Sequence, residues 1–270
     1  MMDAQELNRL WQSYQLRVTD EIARSPEVLF CNGSAIGTLG NFSASTGKAK
    51  SKKTFNVSAI LAAALTNGEV LRYIAEFPDD KRTILYFDTE QSPHHCQRVM
   101  KRALRLAGLP VDRHPENLIF AQLRALTPDF RLELIDNAIA NTPNVGLVII
   151  DGVRDLMFDI NNAIESSRLI GKLMEWTDKY QIHIHTVLHL NKSDDNVRGH
   201  VGTELNNKAE TVLQVCKSTT DSDVTEVSAS CIRSMDFPPF AFIVNESGLP
   251  EIAADYTFAG KSKVQTFSYS

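Results

Sequence analysis

Cysteine is scarce in this sequence, and the little there is lies badly for covalent or metal scaffolding. Cys31, Cys96, Cys216 and Cys231 are the only four in 270 residues, and no two form a C-x-x-C pair. That excludes a disulfide framework or a zinc ribbon and predicts reduced, structural thiols. Long apolar runs are missing too. No stretch approaches eighteen consecutive apolar residues, and "MMDAQELNRLWQSYQ" lacks the basic-then-apolar pattern of a secretory leader, so a cytoplasmic protein with no membrane partner is expected. Neither sign of charge dominates: the net charge is −5. Any grip on nucleic acid must therefore come from a local basic surface. There is no internal repeat, no low-complexity segment and no aromatic interleaving of the kind that stacks single strands.

What is present, 43% hydrophobic and 23% charged residues, suffices for one large core. Residues 3–24 carry Leu7, Leu10, Trp11, Tyr14 and Leu16 at roughly helical spacing, which predicts an amphipathic helix. Short strands then lead to residue 47, and a helix follows that ends at Asn67-Gly68. Downstream, apolar strands over 82–90, 116–123, 145–151 and 182–190 alternate with helices over 92–108, 129–142 and 166–180. This alternation predicts a mostly parallel α/β sheet flanked by helices, and the tail "ETVLQVCK", "VTEVSASCIR", "FAFIVN" an antiparallel extension of it. The expected domains are an N-terminal helical arm (1–26), an α/β core (27–250) and a C-terminal tail (251–270).

The stretch "GKAKSKKTF", residues 47–55, fits the phosphate-loop pattern G-x-x-x-x-G-K-[ST] except that Lys52 stands where the second glycine belongs. In such a loop the backbone of Gly47, Lys48, Ala49, Lys50, Ser51 and Lys52, with the helix N-terminus at Lys53, Thr54 and Phe55, would wrap phosphates. Lys53 would reach the β- and γ-oxygens, and Thr54 would hold Mg²⁺. A register using Gly47-Lys48 fails, because Phe42 replaces the first glycine and Ala49 the hydroxyl residue. Lys52 leaves three outcomes open: an added cation, a redirected loop, or slower nucleotide binding. It offsets the lost room only if its backbone needs no positive φ.

Two acids at strand ends belong with this loop. Asp151 ends "LVIID", where a carboxylate holds Mg²⁺ in phosphate-loop NTPases, and Glu90 ends "ILYFDTE", placed to deprotonate an attacking water. Ligands gather at that edge of open α/β sheets. Other clusters read as structural. His94-His95-Cys96 and the pair His183 and His185 lack metal-site geometry, and Arg98, Lys101, Arg102 and Arg105 form a basic stripe that reads as a solvated helix face.

"ILYFDTEQS", "VGLVIIDGVRDLM" and "TVLHLNKSDDNVRGHVGTELNNKAETVLQV" together resemble the ATPase core of the RecA/DnaB-like superfamily, especially RepA-type replicative helicases and related ATPases of bacterial mobile elements, over about residues 27–245. The resemblance implies a RecA-like sheet, ATP and Mg²⁺ as ligands, and a homo-oligomer, a hexamer or filament, with ATP sites shared between subunits. Single-stranded or replicating DNA is the implied partner. By this likeness Glu90 activates water, Asp151 lies on the metal side, and His189 takes the place of a γ-phosphate sensor that is often Gln. Arg233, before "FPPF", would complete a neighbour's site. Lys192, Arg198 and His200 in the loop 191–202, and the segment 152–167, would face nucleic acid, with Asp194 and Asp195 opposing them. A nucleotide-gated regulatory or assembly module with little or no hydrolysis is the alternative.

Overall fold

A computed structural model describes residues 3–189 and 199–258. The first helix is shorter than its periodicity predicts. α1 spans Ala4–Ser13, opened by a capping box in which Asp3 accepts from the Glu6 backbone and Glu6 reaches back to the Asp3 N–H. Residues 14–26 are not helical, and no residue from 3 to 26 is buried. An amphipathic face needs a surface to cover, and without one a short helix persists little beyond its cap.

The chain then forms β1 (Glu27–Cys31), β2 (Ser34–Thr38), β3 (Phe42–Gly47), α2 (Lys53–Thr66), β4 (Glu69–Val70) and β5 (Tyr73–Ala75). β2-β1-β5-β4 make a small antiparallel sheet. β4 and β5 carry only two and three residues, too few to show a period in the sequence. Next come β6 (Thr83–Asp88), α3 (Pro93–Leu106), β7 (Leu118–Gln122), α4 (Pro128–Asn141), β8 (Val145–Asp151), α5 (Ala163–Tyr180) and β9 (His183–His189). α6 (Gly199–Lys208), β10 (Thr211–Lys217), β11 (Thr225–Ile232), β12 (Phe240–Val244) and β13 (Pro250–Ile252) complete the fold.

The nine-stranded main sheet has the order β13-β12-β11-β10-β3-β9-β8-β6-β7. β10 pairs parallel with β3, and β11, β12 and β13 then add antiparallel. This is a RecA-like α/β fold. Alternate strand residues feed two cores: Ile84, Tyr86, Leu147 and Ile149 pack with α2 and α3, whereas Leu85, Phe87, Val148 and Ile150 pack with α4, α5 and α6. No helix among the described residues is long and apolar enough to cross a membrane.

Strand register fixes what can meet. Asp88 is level with Asp151 and Gln122, Asp151 with Val187, and Gly47 with His189. The carboxyl ends of β3, β9, β8 and β6 therefore share one edge, the edge at which the loop after Gly47 opens.

Candidate nucleotide site

The loop is built on one obligatory glycine and one misplaced lysine. A Cβ at Gly47 would lie 2.2 Å from the Val215 carbonyl oxygen and 2.6 Å from Ser51 Oγ, so no side chain fits there. Lys52 adopts φ 63° and ψ 27°, the left-handed conformation that the glycine of the pattern would take without strain. The condition under which a lysine could be harmless is thus not met. Its ammonium donates to the Asp223 carbonyl, 2.7 Å away in the turn between β10 and β11. The loop is held to that hairpin. Two further features point to an anion: α2 begins at Lys53 with no side-chain cap, and Ser51 Oγ is buried without a hydrogen-bond partner.

Lys53 is only 5% exposed. Its Nζ donates to the carbonyls of Gly47 (2.7 Å) and Lys48 (2.9 Å) and to His189 Nδ1 (2.9 Å), which uses all three of its protons. Burial pulls its pKa down to about 8 against the opposing pull of Asp151 and Glu90. His189 Nε2 lies 3.5 Å from Glu90 Oε2. A proton on Nε2 satisfies both contacts of the ring, linking Lys53 to Glu90 through one imidazole.

Glu90 sits two residues beyond the end of β6, aimed by a residue that the sequence reading passed over. Asp88, fully buried, accepts from the backbone N–H of Glu90 (3.0 Å) and of Gln91 (2.7 Å) and from the Gln91 side chain. "FDTEQ" carries that signal, since an aspartate often closes a turn onto the N–H groups two and three residues on. The His189 ring beside it holds the Glu90 carboxyl below its ordinary value, so Glu90 is ionised at neutral pH. Asp151 behaves oppositely. Burial pushes it up to about 7, assisted by the charge of Asp88 and opposed by the Tyr86 hydroxyl, which donates to Oδ2 at 2.9 Å.

Behind these acids the backbone is tightly pinned. Thr89 Oγ1 lies within hydrogen-bonding distance of the Asp151 and Gly152 carbonyls and of Asp155 Oδ2. Gly152 has φ 102°, and a Cβ on it would lie 2.1 Å from that hydroxyl. Arg131, buried on α4, donates to the carbonyls of Leu123, Arg124, Thr89 and Asp155, tying together the segments that follow β6, β7 and β8.

These groups share a cavity of about 390 Å³ that includes Ser51, Lys53, Thr54, Glu90, Asp151 and His189. Arg98 and Arg102 also line it; Arg98 is exposed, as a solvated face predicts, whereas Arg102 is half-buried and departs from that reading. Their four-residue spacing puts both on the α3 face that turns to α2. The donor set fits a nucleotide and its cation. Among the described residues no group of three or more His, Cys, Asp and Glu makes an all-protein metal cage, so Mg²⁺ here would draw on Thr54, Asp151 and phosphate oxygens. A larger apolar groove of about 550 Å³ between α4 and α5 holds none of the loop residues.

The remaining candidates lie elsewhere. Ile232 is level with Thr211, and Thr211 with Ser43, so Arg233 sits by the start of β3, at the sheet edge opposite Gly47. It is exposed, donates to the Lys208 carbonyl at 3.0 Å, and takes no part in this cavity. His200, exposed, begins α6, while Lys192 and Arg198 fall outside the described residues. His183 and His185 are buried, both within hydrogen-bonding distance of Ser43 Oγ.

No curated protein matches the chain. A family model described as an AAA domain matches residues 32–195, more than half of the sequence. The match contains the phosphate loop, Glu90, Asp151 and His189, and it ends before Arg233. With a loop, a buried lysine and two carboxylates at one sheet edge, the chain belongs to this AAA-domain family of nucleotide-binding P-loop ATPases.

Proposed function

We propose that the protein is a cytoplasmic, RepA-like ATPase of a mobile element that hydrolyses the β–γ bond of ATP and couples this to work on single-stranded or replicating DNA. The observation that carries the reading is the continuous contact Lys53–His189–Glu90 beside Asp151 in one cavity. Lys53 exchanges one of its present acceptors for a phosphate oxygen. Glu90, already ionised, takes the proton of the water that attacks the γ-phosphorus as the bond to the ADP oxygen breaks. Bound Mg²⁺ neutralises phosphate charge, and Thr54 and Asp151 are the residues that would hold it.

Arg233 faces away from its own cavity, so any part it plays in hydrolysis is played at a neighbour's site within a homo-oligomer, a hexamer or a filament. Mixing Arg233→Ala with Lys53→Ala protein then restores activity at interfaces that pair an intact loop with an intact arginine. No recovery after verified subunit exchange rejects a shared site. Steady-state turnover with and without single-stranded DNA tests the reading as a whole. Binding without turnover would favour the second reading, a nucleotide-gated assembly module, which the left-handed Lys52 supports because it strains the loop.

A further inference from the structure

Of the three lysines that line the cavity, two are already engaged and the third, Lys50, is exposed. Lys52, the extra lysine of the motif, spends its ammonium on the Asp223 carbonyl, and Lys53 divides its protons among two loop carbonyls and His189. Ser51 Oγ, buried against the same cavity, has no partner at all.

The facing wall is differently equipped. Arg98 and Arg102, one turn apart on α3, both line the cavity, and among the described residues no carboxylate lies within ion-pair distance of either. Arg102 is held in place. Its guanidinium carbon sits 3.7 Å from the centre of the Phe55 ring, and Nη1 donates to Ser58 Oγ at 3.3 Å. Ser58 in turn donates to the Thr54 carbonyl at 2.7 Å. The guanidinium is thus docked on the first turns of the helix that starts the phosphate site, beside the residue that follows Thr54. Most of its N–H donors remain unused. Arg102 is half-buried, a desolvation cost that the Phe55 ring offsets in part, and an anion in the cavity would offset the rest and neutralise its neighbour Arg98. The cavity as a whole sets five Lys and Arg side chains against the carboxylates of Glu90 and Asp151.

We propose that Arg98 and Arg102 form a second anion-binding wall that grips the phosphate chain from the α3 side. The proposal rests on the cavity being a phosphate site. It makes recognition two-sided: Lys53 and the helix N-terminus hold phosphate from the loop side, and the planar guanidinium on Phe55 holds it from the α3 side with paired N–H donors. The lysine in place of the second glycine is then tolerable, because affinity no longer depends on the loop alone.

The test is equilibrium binding of inorganic tripolyphosphate, ATP and adenosine to the full chain and to Arg98→Gln, Arg102→Gln, Arg102→Lys and Lys53→Ala proteins. Loss of a charged donor pair weakens tripolyphosphate and ATP about tenfold in each Gln variant. Adenosine binding stays within about twofold. Arg102→Lys recovers part of the loss, since it keeps the charge but not the planar fork. Arg98 is exposed, so its variant tests the wall even if Arg102→Gln folds poorly. Unchanged tripolyphosphate binding in Arg98→Gln overturns the wall, whatever Lys53→Ala does. An equal loss for adenosine also overturns it, assigning the arginines to the base. Weakened binding in the arginine variants with none in Lys53→Ala keeps the wall and sinks the loop reading.

Discussion

His189 Nδ1 accepts a hydrogen bond from Lys53 Nζ at 2.9 Å, so the phosphate lysine is already engaged by the strand that ends beside its loop. A phosphate that reaches Lys53 must displace an acceptor, and His189, on the cavity side, is easier to displace than the two loop carbonyls. Removing the ring frees the lysine but also removes the partner of Glu90. His189→Ala should therefore bind ATP at least as tightly as the wild type while turnover falls about tenfold or more. Calorimetry and phosphate release decide it, and a matching loss of binding would make His189 part of the binding surface instead.

Glu90→Gln should keep nucleotide binding and lose hydrolysis, because the amide still orients a water but accepts no proton. Loss of binding would give Glu90 a structural role. Single-turnover phosphate release beside a binding titration separates the two.

Lys52→Gly removes a side chain from a left-handed backbone position at φ 63° and a hydrogen bond to Asp223. The backbone term favours the variant by about 1 kcal/mol, and the exposed hydrogen bond is worth less than a buried one. A modest gain in thermal stability and tighter ATP binding are expected. Weaker ATP binding would instead mean that the tether to the hairpin shapes the loop productively.

Asp151 links stability to pH. Its carboxyl keeps its proton to about pH 7 when folded, against 3.8 as the ordinary value. The folded state therefore binds this proton more tightly, and its stability contribution is complete below about pH 4 and lost as pH rises through 7. The loss amounts to at most about 4 kcal/mol. Asp151→Asn should raise the melting temperature of the nucleotide-free protein at pH 8, with the difference vanishing near pH 4. A difference independent of pH would show that Asp151 ionises freely in the fold.

Gly152→Ala combines a positive φ with a Cβ 2.1 Å from Thr89 Oγ1, and about 3 kcal/mol of destabilisation is expected in a urea titration. Arg131→Met should cost a similar amount, about 3 kcal/mol, since it leaves buried carbonyls after three strands without their donor. A change below about 1 kcal/mol in either variant would mean that these segments rearrange without penalty.

Much of this molecule was legible from local chemistry. Apolar runs such as "VGLVIID" became the buried strands of a parallel sheet, and the helix expected over 92–108 begins at Pro93. The spacing of Gly47, Lys53 and Thr54 marked the phosphate loop between β3 and α2. These features repeat every two or three to four residues, or depend on one backbone conformation, and so are written in short stretches of chain. The arm was misjudged for a related reason. Its periodicity over residues 3–24 is real, but periodicity states only that a face could be covered, and no part of the described residues covers it.

Other properties arise between residues far apart in sequence. Asp88 takes no role in the sequence reading and becomes the buried anchor of Glu90; Arg102 reads as solvated and is half-buried against the cavity; Arg233 sits at the edge opposite the loop of its own chain. Lys52 shows the division most clearly: its residue type announces a departure from the pattern, but whether its backbone would be left-handed and where its ammonium would go depended on the Asp223 turn, 171 residues away. Sequence by itself determined the elements and the chemical types along one sheet edge, because these follow from local sterics and hydrophobic period. Tertiary structure decided which of those groups meet, which are desolvated and which way each charge points, because burial and register are set by contacts that no short segment contains.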